Sequence, residues 1–190
     1  AWSVGYENAG TVEFLCDAEN NFYFLEMNTR LQVEHPVTEE ITGIDIVQEM
    51  LKIASGEKLT IKQEDIRLKG HAIEARITAQ DPDRDFAPAT GMITGWRAPG
   101  GHGVRMETHC YAGFSVSPYY DPMIAKLIVY GDDRDEAVRK LQTALHEFEI
   151  EGLATNIPFL RRLCAHPDYV QGRLTTAFVP RFLAETEVAR

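Results

Sequence analysis

The residues able to do chemistry concentrate in one stretch, EMNTRLQVEH at positions 26–35. In an extended chain alternate side chains share a face. One face then carries Glu26, Asn28, Arg30, Gln32 and Glu34, and the other Leu25, Met27, Thr29, Leu31 and Val33. The polar set would form a comb of about 27 Å, at roughly 3.3 Å per residue, long enough to touch several parts of one substrate complex. A half-buried edge strand with a solvated face gives the same alternation, so alternation alone does not separate the two. Solvated faces are usually built from Lys, Glu, Thr and Ser. Asn, Arg and Gln interleaved between two glutamates suit a binding site better.

Upstream, TVEFLC and FYFLEMN are β-type runs separated by Asp17, Ala18, Glu19, Asn20 and Asn21, a cluster of turn formers that signals a hairpin. With a loop of residues 18–21, Asp17 opposes Phe22 and Glu13 falls opposite Glu26. Facing residues lie ~4.5–5.5 Å apart, where like charges destabilise the pair. A divalent cation between the carboxylates reverses that sign. Mg²⁺, or Mn²⁺ in its place, fits, since it is held by few carboxylates and completed by water and phosphate oxygens. Asn28 lies on the correct face to add an oxygen, whereas a one-residue slip in register would turn Glu13 away.

Other elements must position this stretch. The opening AWSVGYENAG reads as the tail of a helix ending in glycine, and the chain is read as a piece of something longer. Ile44, Val47, Leu51 and Ala54 fall at helical spacing with Gly56 as a stop. Residues 56–69 are charged and irregular and mark a junction. HAIEARITA, GMITGWRA, GVRMETHC and MIAKLIVYG read as strands broken by Pro- and Gly-rich turns. Asp133 and Glu136 have capping-box spacing, and Ala137, Leu141, Leu145 and Phe148 line one face of a helix ended by Gly152. Short helices follow near Asn156 and Thr176. The fold class is α+β, an antiparallel sheet with packed helices.

Composition excludes several classes. A net charge of -10 and a pI near 5.1 argue against a nucleic-acid partner. There is no apolar run of membrane-spanning length and no basic-then-apolar leader, so no membrane partner is expected. Cys16, Cys110 and Cys164 have no zinc-site spacing and read as small buried apolar residues in a reducing compartment. His71, His102, His109, His146 and His166 show no ligand spacing, and Phe22, Tyr23 and Phe24 read as core and turn packing.

EMNTRLQVEHPVTEEITG resembles the active-site signature of biotin carboxylase, the ATP-grasp subunit or domain of biotin-dependent carboxylases. GYENAGTVEF, GHAIEARI and YYDPMIAKL match the same family, so the resemblance covers essentially the whole chain. E-x-N-x-R alone would indicate an ATP-grasp ligase, and the extension LQVEHPVTE selects the biotin-dependent carboxylases. The resemblance implies that residues 1–56 are the C-terminal part of an ATP-grasp domain and 57–190 a biotin carboxylase C-terminal domain.

By this resemblance, ATP phosphorylates bicarbonate to carboxyphosphate, which releases CO₂ to carboxylate a ureido nitrogen of biotin. Glu13 and Glu26 would hold the metal ions on the ATP phosphates, assisted by Asn28, and Leu15 would pack on the adenine, although core packing explains a leucine equally well. Arg30, Gln32 and the backbone of Val33 would bind bicarbonate, and Glu34 would be the general base that deprotonates it. Arg30's planar fork suits a planar oxyanion. Arg76 would stabilise the biotin enolate or the departing phosphate, with Asp121 as a candidate to orient it; an ordinary strand arginine paired with an acid is the competing reading. His35 is assigned no role.

The family's glycine-rich lid, its phosphate-gripping lysines and the Met-Lys-Met biotin-attachment loop have no match. Biotin would arrive on a carrier protein or domain, a carboxyltransferase component would take the carboxyl group, and these 190 residues alone would not hydrolyse ATP. Pairing into a homodimer would use the C-terminal domain, with His102 and Arg105 in the dimer-forming segment. The setting would be bacterial cytoplasm or mitochondrial matrix. Acetyl-CoA, propionyl-CoA, methylcrotonyl-CoA and pyruvate carboxylases share this half-reaction; the motif leans toward acyl-CoA carboxylases such as the first two, with pyruvate carboxylase as the alternative. A carbamoyl-phosphate or purine-synthesis ligase would lack RLQVEH, and a non-catalytic dimerisation module is the remaining alternative.

Overall fold

In the computed structural model, which describes residues 2–188, the turn formers at 17–21 close an antiparallel hairpin of Thr11–Cys16 with Phe22–Asn28. Before it, Trp2–Val4 form a 3-10 turn followed by Gly5 at φ 63°. After it, the extended run predicted through Glu34 stops at Asn28, because Pro36 fixes a helical φ and starts the helix His35–Thr42. Gly43 ends that helix in the left-handed conformation at φ 71°, donating to the Glu39 carbonyl at 2.8 Å. The next helix is Ile46–Ala54, two residues shorter at its start than its periodicity suggests. Asp45 caps it by accepting from the backbone of Gln48 at 2.7 Å.

These elements belong to a unit running to Lys69, and a second unit begins at Gly70. The division falls at the far end of the charged stretch 56–69. Among the described residues of the first unit, only Pro36 and Glu39 are buried, so its apolar side chains form no closed core. Phe22, Tyr23 and Phe24, read as core and turn packing, are 71%, 55% and 66% exposed, and Cys16 is exposed as well.

The second unit carries the core. Met123–Gly131 is the centre of a three-stranded antiparallel sheet, flanked by His71–Thr78 and Val104–Thr108. The central strand is a nearly continuous apolar run because Ile124, Ala125, Leu127, Ile128 and Val129 are all buried. The helix Arg134–Glu147 packs against this sheet through Ala137, Leu141, Ala144 and Leu145. Asp133 caps it, accepting from the Glu136 backbone at 2.8 Å, and Glu136 answers by accepting from Asp132 at 2.7 Å.

That helix ends at Glu147, not at Gly152. Phe148 leaves helical conformation yet stays 1% exposed against Trp96, and Glu149–Glu151 form a strand paired with Gly95–Arg97. GMITGWRA is therefore two short strands, Gly91–Met92 and Gly95–Arg97, in separate ladders. The later helices are Ile157–Ala165, Pro167–Val170 and Phe178–Val188. Cys110 and Cys164 are buried, and burial pushes the Cys164 thiol up to about 11, which keeps it protonated and inert.

Candidate active site

The hairpin loop is set by Asp17. Its carboxylate accepts from the backbone of Glu19 and Asn21 and from the side chains of Asn21 and Tyr23, at 2.8–3.1 Å. These bonds, the Asn21 amide first, hold the carboxyl below its ordinary value. Asn20 takes the left-handed conformation, which its side chain tolerates. Asp17 is thus a loop residue, and Cys16, not Asp17, opposes Phe22. The ladder then shifts between Glu13 and Phe14, with Leu25 as the extra residue on the second strand. The longer loop and the bulge cancel, and Glu13 faces Glu26 after all.

The two faces of the hairpin differ. Thr11, Glu13 and Leu15 share a side with their partners Asn28, Glu26 and Tyr23; Val12, Phe14 and Cys16 share the other with Met27, Phe24 and Phe22. Leu15 is 59% exposed on the glutamates' side.

On the polar side the side chains form one network. The Asn28 amide donates to Glu13 Oε1 at 2.9 Å and Glu26 Oε1 at 3.0 Å. Gln32 Nε2 donates to Glu13 Oε1 at 2.9 Å. Arg30 donates to Gln32 Oε1 at 3.1 Å, Asn28 Oδ1 at 3.4 Å and the Leu31 carbonyl at 3.2 Å. Amide donors thus offset the repulsion of the facing carboxylates.

The two facing carboxylates are hard oxygen donors, which fit a divalent cation. Asn28 must turn its amide over to contribute, because its nitrogen faces the carboxylates and its oxygen faces Arg30.

Bends and a turn at residues 29–34 replace the straight comb, yet Arg30, Gln32 and Glu34 still line one cleft of about 300 Å³, joined by His35 and Thr38. Glu34 sits at the N-cap of His35–Thr42, and its carbonyl accepts from Val37 at 3.2 Å. His35, to which the sequence assigned no role, places Nδ1 2.8 Å from the Gln32 carbonyl. Its position before a proline at a helix start was the available signal.

Arg76 lies in the second unit, exposed on His71–Thr78 opposite Lys126, which in turn faces Glu107. Burial works against ionisation of Glu107, but hydrogen bonds from Lys126 and Arg105 prevail and hold its pKa below the ordinary value. Asn156 clamps the strand just after Arg76, on both sides of Ile77. Its amide donates to the Arg76 carbonyl at 2.9 Å and accepts from the Thr78 N–H at 2.9 Å. Asp121 accepts from the Met123 backbone at 2.8 Å and so holds its own turn. Arg105 pairs with Glu107, and His102 lines a groove of about 490 Å³ with Arg139 and Lys140.

Residues 74–181 match the model of the biotin carboxylase C-terminal domain. The chain belongs to the biotin carboxylase family. Residues 1–62 match the ATP-binding domain of the carbamoyl-phosphate synthase L chain, in line with an ATP-grasp portion. The biotin carboxylase of a Nostoc species is 51% identical over 93% of this chain and 39% of its own length. A pyruvate carboxylase component of Methanothermobacter thermautotrophicus is 52% identical over 94% and 36%.

Among solved structures, the biotin carboxylase domain dimer of Hydrogenobacter thermophilus 2-oxoglutarate carboxylase, in complex with MgADP, ADP and bicarbonate, has a TM-score of 0.92 and 47% identity. It is covered to 40%, against 94% of this chain. The biotin carboxylase subunit of a pyruvate carboxylase scores 0.92 at 52% identity, with the same coverage. The chain thus spans about two fifths of the relatives it matches.

Proposed function

We propose that this chain supplies the metal-binding, bicarbonate-binding and C-terminal parts of a biotin carboxylase. The reaction is the ATP-dependent carboxylation of biotin by bicarbonate, an ATP-dependent carbon–nitrogen ligation. The observation that carries this reading is the facing pair Glu13 and Glu26, tied through Asn28 and Gln32 to Arg30 on one hairpin and the turn after it.

In this reading Glu13, Glu26 and Asn28 hold Mg²⁺, or Mn²⁺, which when bound neutralises the charge of the ATP phosphates. Leu15 lies against the adenine. Arg30, Gln32 and the Val33 N–H bind bicarbonate, and Glu34 takes its proton. The bicarbonate oxygen then attacks the γ-phosphorus, ADP leaves, and carboxyphosphate breaks down to CO₂ and phosphate. The released phosphate takes the ureido N–H proton, Arg76 offsets the negative charge that develops on the ureido oxygen of biotin, and the nitrogen attacks CO₂. These assignments place an anion-binding fork beside a carboxylate base, the arrangement that bicarbonate deprotonation needs.

Biotin arrives on a carrier protein or domain, and a carboxyltransferase component takes the carboxyl group onward. We assign the protein to an acyl-CoA carboxylase, and its similarity to pyruvate carboxylase components favours pyruvate as the second choice. Homodimerisation through the second unit, with His102 and Arg105 near the contact, and a cytoplasmic or mitochondrial-matrix setting complete the reading. No helix among the described residues is long and apolar enough to cross a membrane.

The test is ATP cleavage by the complete native enzyme, with and without bicarbonate and free biotin, for wild type and Arg30→Ala. Bicarbonate-dependent cleavage, raised by biotin and lost in the variant, is expected. Cleavage indifferent to both additions overturns the reading.

A further inference from the structure

We infer that His35 is a positioning residue for the bicarbonate subsite, acting by fixing the peptide plane between Gln32 and Val33. This rests on the reading above, in which the Val33 N–H binds bicarbonate. A carbonyl oxygen can only accept, so the 2.8 Å contact between His35 Nδ1 and the Gln32 carbonyl requires the proton on Nδ1. The His35 backbone N–H also points to this oxygen, at 3.4 Å. One residue therefore directs two donors at a single carbonyl.

The Gln32 carbonyl and the Val33 N–H belong to the same planar unit, and in a trans peptide they point in opposite directions. No cis peptide occurs among the described residues. Holding the carbonyl therefore sets the direction of the Val33 N–H. The same clamp steadies the residues on either side, since Gln32 reaches Glu13 at 2.9 Å and Glu34 begins the helix.

The ring is largely enclosed, with the His35 side chain 12% exposed. Glu39 Oε1 lies 3.9 Å from Nε2, beyond hydrogen-bond range, and accepts instead from the Ile46 backbone at 2.8 Å.

Only Nδ1 meets the Gln32 carbonyl, which makes the inference testable. An asparagine amide nitrogen takes roughly the place of Nδ1, and a glutamine amide nitrogen that of Nε2. In the complete native enzyme, His35→Asn should keep the KM for bicarbonate within about threefold of wild type. His35→Gln should raise it about tenfold or more, because displacing a binding donor by a fraction of an ångström is costly. The KM for ATP should change less than about twofold in both, since a generally weakened fold would move both constants. His35→Leu, with neither donor, is the second loss variant and must behave like His35→Gln. Equal bicarbonate KM values for the Asn and Gln variants, or parallel rises in the ATP KM, overturn the inference while wild type still depends on bicarbonate. Wild-type cleavage indifferent to bicarbonate overturns the functional reading and this inference together.

Discussion

Replacing Asn156 by alanine should cost the second unit far more than a surface change. The residue is 8% exposed, and its side chain completes the strand that carries Arg76, donating to the Arg76 carbonyl and accepting from the Thr78 N–H, both at 2.9 Å. Alanine keeps the third contact, from the residue 156 backbone to the Thr78 carbonyl at 3.1 Å, and removes the other two. Each loss leaves a part-buried backbone group without its partner, at about 1–3 kcal/mol, so the total should be roughly 2–6 kcal/mol. Helix capping adds nothing to this figure, because Asn156 occupies the N-cap of Ile157–Ala165 without a side-chain capping bond. Urea unfolding of wild type and variant reads the difference as a shift in midpoint at unchanged slope. A loss below about 0.5 kcal/mol would mean that water replaces the amide at this strand edge, and the clamp would be refuted.

Glu13→Gln should leave the melting temperature unchanged or raise it slightly, by relieving about 0.2–1 kcal/mol of cross-strand repulsion. In the complete enzyme it should also weaken Mg²⁺-dependent nucleotide binding at least about tenfold by calorimetry, since a hard cation loses a charged ligand; unaltered Mg²⁺ dependence would contradict the donor set. Gly152→Ala places a Cβ 2.2 Å from the Met92 carbonyl at a φ of 100°, and should destabilise the second unit by more than about 2 kcal/mol in urea unfolding. Hydrogen bonds from Arg173, with the Arg181 charge adding, hold Asp168 below the ordinary carboxyl value of 3.8. A depressed folded pKa means that this contribution is complete above the unfolded value and is lost as pH falls through the folded one. The difference in melting temperature between wild type and Asp168→Asn should therefore be present near about pH 7 and close below about pH 4; a pH-independent gap contradicts the pairing.

Some elements were legible in the sequence because a local rule determines them. The Asp133 and Glu136 spacing announced the start of the long helix, and MIAKLIVYG announced a strand. The Glu13 and Glu26 pair was also legible, although by a different register from the one assumed. Loop length alone did not reveal that Asp17 would be drawn into the turn by its four hydrogen bonds, or that the bulge at Leu25 would restore the alignment.

The helix His35–Thr42 was missed because the polar alternation was read as far as Glu34 without weighing Pro36 just beyond it, which already marked a helix start. The role of Asn156 was not legible either, since it depends on strand partners about eighty residues away, with nothing local to signal it. Burial of Phe22, Tyr23 and Phe24 was inferred from residue type, and the described residues supply no element that covers them.

The apolar side of the hairpin has a colloidal consequence. Val12, Phe14, Phe22 and Phe24 are between 45% and 71% exposed, with the Phe14 ring set edge-on to both others. Among the described residues this sheet has two strands, and neither carries the lysine or proline that usually guards a sheet edge. FYFLEM combines strong β preference with a single charge, the composition of a segment that pairs with copies of itself. The geometry that aligns Glu13 with Glu26 on one side of the hairpin thus leaves its reverse side apolar and exposed. Keeping it covered during synthesis and purification is a condition for the polar side to remain monodisperse and usable.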